Sequence, residues 1–180
     1  MNTAVEYAWA KALQDFNHTN DVLFVKVVSR RDLADDEVRD AVGLFMGVIA
    51  VRVKSAADGR LEESPEDGIA ALQRQLAESA AYEYCSEYEL ASISALGMDS
   101  FESIFVSSDY GDETGGDIPG AVGFRQVFTP ASAGAELELH PHLDPDGLKV
   151  DIIFDTARYT AEEIAAAAEG LRRRLQWISA

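Results

Sequence analysis

The hydrophobic positions at the start of the chain follow two different periods. Six apolar residues recur at helical spacing over residues 3–16: Val5, Ala8, Trp9, Ala12, Leu13 and Phe16. This spacing predicts an amphipathic helix. The apolar runs at 22–28 and 44–53 are short and are typical of strands covered on both faces. A helix followed by two buried strands indicates an α/β fold.

The middle of the chain predicts two helices, a strand and a loop. Ser64 and Pro65, followed by two acidic residues, have the composition of a helix start, and 86–96 has that of a shorter helix. The run at 101–109 is typical of a strand. Residues 111–120, GDETGGDIPG, are rich in glycine and predict a mobile loop that is too short to separate two domains. We therefore expect a single domain over residues 1–180.

The last third predicts a β-hairpin and a closing helix. ELELHPHL and LKVDIIFD alternate apolar and polar residues, and the intervening DPDG has turn chemistry. Pro141 within the first run suggests an edge strand or a bulge. Thr160 and Glu163 have the spacing of a capping box, which predicts a helix start.

Composition and charge narrow the classes of partner. Acidic residues number 32 and basic residues 15, for a formal net charge of -17, so we expect neither nucleic acid nor an anionic membrane as a partner. The single cysteine, Cys85, excludes an internal disulfide and cysteine-built zinc sites. Glu6 and Lys11 interrupt the N-terminal apolar pattern, and no apolar run approaches the length of a membrane helix. We expect a cytoplasmic protein.

Several segments match a known pattern in order along the chain. VGLFMGVIAVRV at 42–53 is similar to the block V-G-x-F-x-N-T-x-x-x-R, with Val42, Gly43, Phe45 and Arg52 in register. SFESIFVSSDY at 100–110 resembles F-D-x-x-F-x-x-x-N-Y, and NDVLFVKVVSRR resembles a strand that runs into a G-R segment. LKVDIIFDTARYTAEEI resembles a closing strand and final helix. Together these segments resemble the C-terminal lobe of nonribosomal peptide synthetase condensation domains, members of the chloramphenicol acetyltransferase-like superfamily.

The resemblance implies an α/β single lobe, a mixed sheet flanked by helices, with a C-terminal β-hairpin and helix. In that family two similar lobes form a V, and they act together in amide bond formation between thioester-bound acyl and aminoacyl groups. The implied partners are the missing N-terminal lobe or the rest of a synthetase, and carrier proteins. The chain would need no cofactor of its own, because its substrates would be carried on the phosphopantetheine arms of those carrier proteins.

The resemblance also implies seven residues on the wall of the substrate tunnel: Gly43, Phe45, Gly47, Val48, Arg52, Ser107 and Asp109. The sequence departs from the family block at Gly47 and Val48, which stand where the family has Asn-Thr. This change removes an amide and a hydroxyl, so we expect no polar side chain at that point of the wall.

No catalytic residue is predicted in this chain. The family's catalytic HHxxxDG does not occur among the 180 residues, and the nearest approach is HPHLDPDG at 140–147, where Pro141 replaces the first histidine. An alternating strand follows Gly147, so this stretch is interpreted as the hairpin turn. The resemblance therefore implies one wall of the tunnel, inactive alone, with the reacting histidine in the other lobe.

Two alternatives remain open at this point. Strand alternation places Glu138, His140 and His142 on one face, where two imidazoles and a carboxylate could bind zinc, although a half-exposed strand shows the same polar face to water. We expect no metal, and a small metal-binding protein is the alternative. A non-catalytic module that associates with itself as a homodimer is the other, because an exposed lobe interface would be an apolar patch that needs cover.

Overall fold

A computed structural model gives the fold of the chain. It describes residues 2–30, 42–43, 45–55, 64–97, 99, 102–107, 134–144 and 147–179. The elements are α1 (Asn2–Phe16), β1 (Asp21–Ser29), β2 (Met46–Lys54), α2 (Pro65–Ser79), α3 (Glu87–Ile93), β3 (Ser103–Phe105), β4 (Leu137–Asp144), β5 (Gly147–Phe154) and α4 (Ala161–Ile178). A short 3-10 turn, Ala80–Tyr82, follows α2.

The five strands form one mixed sheet in the order β2-β1-β3-β4-β5. β1 pairs antiparallel with β2, and β4 pairs antiparallel with β5. The central pairs β1–β3 and β3–β4 are parallel. This arrangement confirms the predicted mixed sheet with helices and a C-terminal hairpin and helix.

The helix α1 is buried on almost all sides, more than its amphipathic pattern predicts. It contacts β1, α2 and α4, so its polar side chains also leave water. The buried carboxylate of Glu6 lies 2.7 Å from Nζ of Lys26, and Nζ of Lys11 donates to Oγ of Ser55. The side-chain amide of Gln14 donates to two backbone carbonyls. Buried polar groups of this kind are tolerated because they are paired.

Both faces of the sheet are covered, as the apolar strand runs predict. The helix side carries the main core, to which the sheet contributes these residues: Val22, Phe24, Ile49, Val51, Phe105, Leu137 and Leu139. The opposite face carries a smaller cluster of Val25, Val48 and Ile104, against which Leu90 of α3 packs. We call this opposite face the second face of the sheet.

Local sequence signals set most of the element boundaries. Oγ of Ser64 accepts from the backbone N–H of Asp67, and Thr160 and Glu163 form the predicted capping box at the start of α4. The strand predicted over 101–109 is only three residues long. The predicted loop at 111–120 lies outside the described residues.

The hairpin is confirmed, but β4 as a whole is an interior strand, and only its part around Pro141 lacks a described neighbour on the β3 side. β4 pairs with β5 from Leu137–Phe154 to Asp144–Gly147, and Gly147 has a positive φ of 131°, which favours glycine. The edge strands of this five-stranded sheet are β2 and β5, not β4. Pro141 is tolerated inside the sheet because its nitrogen points to the β3 side, beyond the last pair of that short strand, where the backbone N–H of Val106 donates to Leu139.

Candidate functional site

The carboxyl end of the central strands brings most of the predicted wall residues together. β2 begins where β1 ends, and the backbone N–H of Arg30 donates to the carbonyl of Phe45 at 2.7 Å. Ser107 follows β3, whose parallel register with β1 places it at the same end of the sheet. Ligands of open α/β sheets bind at this end of the strands. We call this region, formed by Arg30, Gly43, residues 45–48 and Ser107, the strand-end site.

Within the strand-end site, neighbouring residues point to opposite faces of the sheet. Val48 is buried on the second face with Val25, while Gly47 lies on the helix side. Gly43 is exposed, and a Cβ placed on it would come within 3.0 Å of the Phe45 ring. Gly43 thus lies against the Phe45 ring, and Val48 belongs to the apolar cluster of the second face.

One predicted wall residue, Arg52, does not belong to this cluster. Arg52 lies five positions after Gly47 on β2, which is about 17 Å at the usual strand rise. Nε and Nη2 of Arg52 donate to the two carboxylate oxygens of Asp21 at 2.8 and 2.6 Å. A small ligand at Gly47 would not reach this guanidinium, which is already neutralised. Asp109 lies outside the described residues.

Gly47 and Val48 have no polar side chain of their own, but a polar group from another part of the chain lies beside Gly47. A Cβ placed on Gly47 would collide with Nε, Cζ and Nη2 of Arg30. The guanidinium thus occupies the space that a side chain at 47 would need, and Nη2 donates to the carbonyl of Cys85 at 2.7 Å. A cationic group supplied from the end of β1 therefore lies against Gly47 of β2. Sequence reasoning missed Arg30 because its contact with Gly47 exists only in the folded sheet.

The polar face of β4 is buried, so the expected exposure of its histidines is wrong for His140. Glu138 is 0% and His140 6% exposed, and the register places both on the second face beside Ile104. Oε1 of Glu138 accepts from the backbone N–H groups of Gly134 and Ala135 at 3.0 and 3.3 Å. Its Oε2 lies 2.9 Å from Nε2 of His140. The segment before β4 folds back onto Glu138, and this closes the polar pair off from water.

The three candidate metal ligands do not converge. His142 is 28% exposed, and its Nδ1 lies 3.7 Å from Oδ2 of Asp151 rather than beside His140. Over the described ranges, no three His, Cys, Asp or Glu side chains are placed to hold a metal ion. Glu138 and His140 are a hydrogen-bonded pair, and the metal-binding alternative is not favoured.

Electrostatics mark two groups away from the strand-end site. The hydrogen-bonded guanidinium of Arg52 lowers the pKa of Asp21 below its ordinary value of 3.8. Burial, followed by nearby carboxylates, raises the pKa of Tyr159 above 10.0. Both shifts follow from structural contacts, so neither identifies a catalytic acid or base.

Comparison with known proteins gives the family. The condensation domain model matches residues 1–180, which is the whole chain. The chain belongs to the condensation domain family. Bacitracin synthase 3 of Bacillus licheniformis is 27% identical over 162 residues, which are 88% of this chain and 2% of that protein. Tyrocidine synthase 2 of Brevibacillus parabrevis is 28% identical over 110 residues, or 61% of this chain and 3% of that protein.

Solved structures show the same fold. The epimerization domain from the third module of tyrocidine synthetase B superimposes with a TM-score of 0.66 at 18% sequence identity. The match covers 99% of the condensation-family chain and 41% of the solved one. The chain thus spans about two fifths of that solved structure and only a few per cent of the two synthases. Among the described residues, no helix is both long and apolar enough to cross a membrane.

Proposed function

We propose that the chain is the C-terminal lobe of a nonribosomal peptide synthetase condensation domain, forms one wall of its substrate tunnel, and is inactive alone. The observation that carries this proposal is that a match over the whole chain accounts for less than half of a solved relative. The whole chain matches the family, yet it covers only 41% of a solved relative, and its sequence contains no HHxxxDG. The order of the sequence blocks supports assignment to the second half of the domain.

In this proposal the chain positions substrates and the other lobe supplies the base. The amine of an aminoacyl group attacks the thioester carbonyl of an acyl group, the C–N bond forms, and the thiol of the donor arm leaves. The histidine that accepts the amine proton belongs to the missing lobe. The strand-end site, with Gly43, Phe45, Gly47, Val48 and Ser107, supplies wall and shape, and the family resemblance alone adds Asp109 and Arg52 to the wall.

The partners follow from the same proposal. Carrier proteins bring both groups on phosphopantetheine arms, so the chain itself needs no cofactor, and the remainder of a synthetase supplies the other lobe. The assembly would act in the cytoplasm. The net charge of -17 supports a protein partner in preference to nucleic acid.

Reconstitution tests the proposal directly. The chain is mixed with a separately purified N-terminal half that carries HHxxxDG and with acyl- and aminoacyl-loaded carrier proteins, and amide product is followed by mass spectrometry. We expect product from the two halves together and none from either alone. Product from this chain alone would contradict its inactivity, and failure of the halves to bind would contradict the lobe assignment.

A matched pair of variants tests the position of the wall. Ser107→Trp places bulk in the strand-end site, and we expect it to lower product yield by about tenfold or more because the substrates lose their alignment. Ser92→Trp adds the same bulk to an exposed position of α3 and should leave the yield unchanged. Equal losses in the two variants would show that Ser107 does not face substrate.

Self-association is a second candidate, because one sheet edge is open in the described structure. β5 is an edge strand, and the neighbouring Leu143 and Leu148 are 64% and 36% exposed. A shallow groove of about 230 Å³ lies between β5 and Leu171 and Leu175 of α4. Free edges of this kind can pair with a second copy. Sedimentation of the native chain and of Leu148→Lys would decide: a dimer lost in the variant supports pairing, and a native monomer at high concentration excludes it.

A further inference from the structure

Arginines with hydrogen bonds in this structure are generally bound to carboxylates. The pairs are Arg52–Asp21, Arg158–Glu136, Arg172–Glu169 and Arg174–Asp15. Arg30 is different: within the described part of the chain, no carboxylate lies within ion-pairing distance of its guanidinium. The chain has 32 acidic and 15 basic residues, so acidic residues are plentiful, yet none of the described ones pairs with Arg30.

The described neighbours of Arg30 use little of its hydrogen-bonding capacity. A guanidinium carries five N–H donors. One Nη2 hydrogen goes to the carbonyl of Cys85, and Nε is buried without a hydrogen-bond partner among the described residues. The residue is half-buried, so its outer edge remains reachable from solvent. The hydrogen bond to Cys85, which follows the 3-10 turn Ala80–Tyr82, uses one donor of the guanidinium and does not compensate its positive charge.

The surroundings hold the guanidinium in one place. It lies across Gly47, where any side chain would collide with it, and Cys85 fixes one of its terminal nitrogens. A planar cation that is already oriented loses little freedom when it binds a planar or tetrahedral oxyanion through two N–H groups. Its location at the carboxyl ends of β1 and β3 is where ligands approach an open α/β sheet.

We propose that Arg30 is an anion-binding residue of the strand-end site and takes the oxyanion of an incoming ligand on its Nη1 and Nη2 edge. If the proposed function holds, two sources supply such a group. One is the phosphate of a phosphopantetheine arm, and the other is a carboxylate on the condensing substrate. The anion replaces the carboxylate partner that the other hydrogen-bonded arginines have within the chain.

Direct binding to the isolated native chain tests the proposal. The chain is labelled with 15N, and the Nε–H resonance of Arg30 is followed during titration with 4′-phosphopantetheine, with pantetheine and with glutarate. If phosphate is the source, 4′-phosphopantetheine should bind about tenfold or more tightly than pantetheine or glutarate, because the ion pair is made only with the phosphate. If carboxylate is the source, glutarate should bind most tightly.

Variants show whether Arg30 carries the binding. Arg30→Gln should weaken the tighter ligand about tenfold or more, and Arg30→Lys should weaken it less, because the charge remains but the planar fork is lost. Arg74→Gln removes an exposed arginine of α2 and is the matched control, with no change expected. The native titration needs no variant, so it stands even if a variant does not fold.

The proposal is overturned if none of the three ligands shifts the Arg30 resonance, or if Arg30→Gln binds as tightly as the native chain. Either result leaves the proposed function intact, because that function is measured by amide formation with the second half. Conversely, failed reconstitution leaves oxyanion binding by the isolated chain measurable.

Discussion

Replacing Glu138 with alanine should remove the acceptor that holds the segment before β4 onto the second face of the sheet. Three donors point at this carboxylate: the backbone N–H groups of Gly134 and Ala135, and Nε2 of His140. Glu138 is 0% exposed, so the donors cannot simply turn to water on this face. The substitution leaves them unpaired and opens a space beneath residues 134–135.

The cost follows from the number of donors left buried. An unsatisfied buried donor costs about 1–3 kcal/mol. Gly134 is exposed and can recover a water, so the full penalty applies to His140 and in part to Ala135. We therefore expect Glu138→Ala to lower the free energy of unfolding by about 2–4 kcal/mol. Glu138→Gln keeps an acceptor for the backbone and should cost less.

Urea unfolding followed by fluorescence of the buried Trp9 measures this difference. At a slope of about 2 kcal/mol per molar urea, the midpoint should fall by about 1–2 M with the slope unchanged. Glu136→Ala, just before the same strand, is the control: its carboxylate pairs with the exposed Arg158, and such a pair contributes about 1 kcal/mol or less. If Glu138→Ala unfolds at the same urea concentration as Glu136→Ala, the buried network is not stabilising.

Three further predictions concern charged and titrating groups. Lys26→Met should leave the buried Glu6 carboxylate uncompensated and lower the free energy of unfolding, measured by thermal denaturation, by about 3–5 kcal/mol. The double variant with Glu6→Gln should recover most of this stability, and no recovery would show that the two side chains do not interact. Because the pKa of Tyr159 is raised in the folded chain, the stability it contributes is present below its ordinary pKa of 10.0 and is lost as the pH rises through the raised value. As the pH rises above 9, the urea midpoint of Tyr159→Phe should therefore fall less than that of the native chain. Parallel plots of midpoint against pH for the two proteins would refute this. The stability from the lowered pKa of Asp21 is present above 3.8 and lost as the pH falls through the folded value; Arg52→Gln should return that pKa towards 3.8 in a 13C NMR titration, and an unmoved pKa would rule out Arg52 as its cause.

Local signals made the helices and the hairpin predictable. Ser64 and Thr160 start α2 and α4 because a hydroxyl cap acts within three residues of itself. The β4–β5 pairing was predictable because its turn chemistry lies between the two strands. By contrast, β3 is short and lies between β1 and β4 through parallel pairs, and such pairing is not encoded by neighbouring residues.

The candidate site was predictable in part. The block at 42–53 contains Phe45, Gly47 and Val48, which lie together where β2 begins. The same block includes Arg52, which lies about 17 Å further along the strand because each residue rises about 3.4 Å. Alternation on β4 placed Glu138 and His140 on one face. It did not tell that this polar face is covered, because the cover comes from residues 134–135, which fold back onto Glu138.

The sequence by itself determined the fold class, the family pattern and the absence of HHxxxDG, since these depend on residue order and periodicity. The tertiary structure alone decided which charges are partnered. Arg30 and Gly47 are distant in the chain and meet only because β1 and β2 pair antiparallel, which brings the guanidinium against the glycine. Side-chain contact across strands is a property of register, and register is fixed by packing rather than by any one residue.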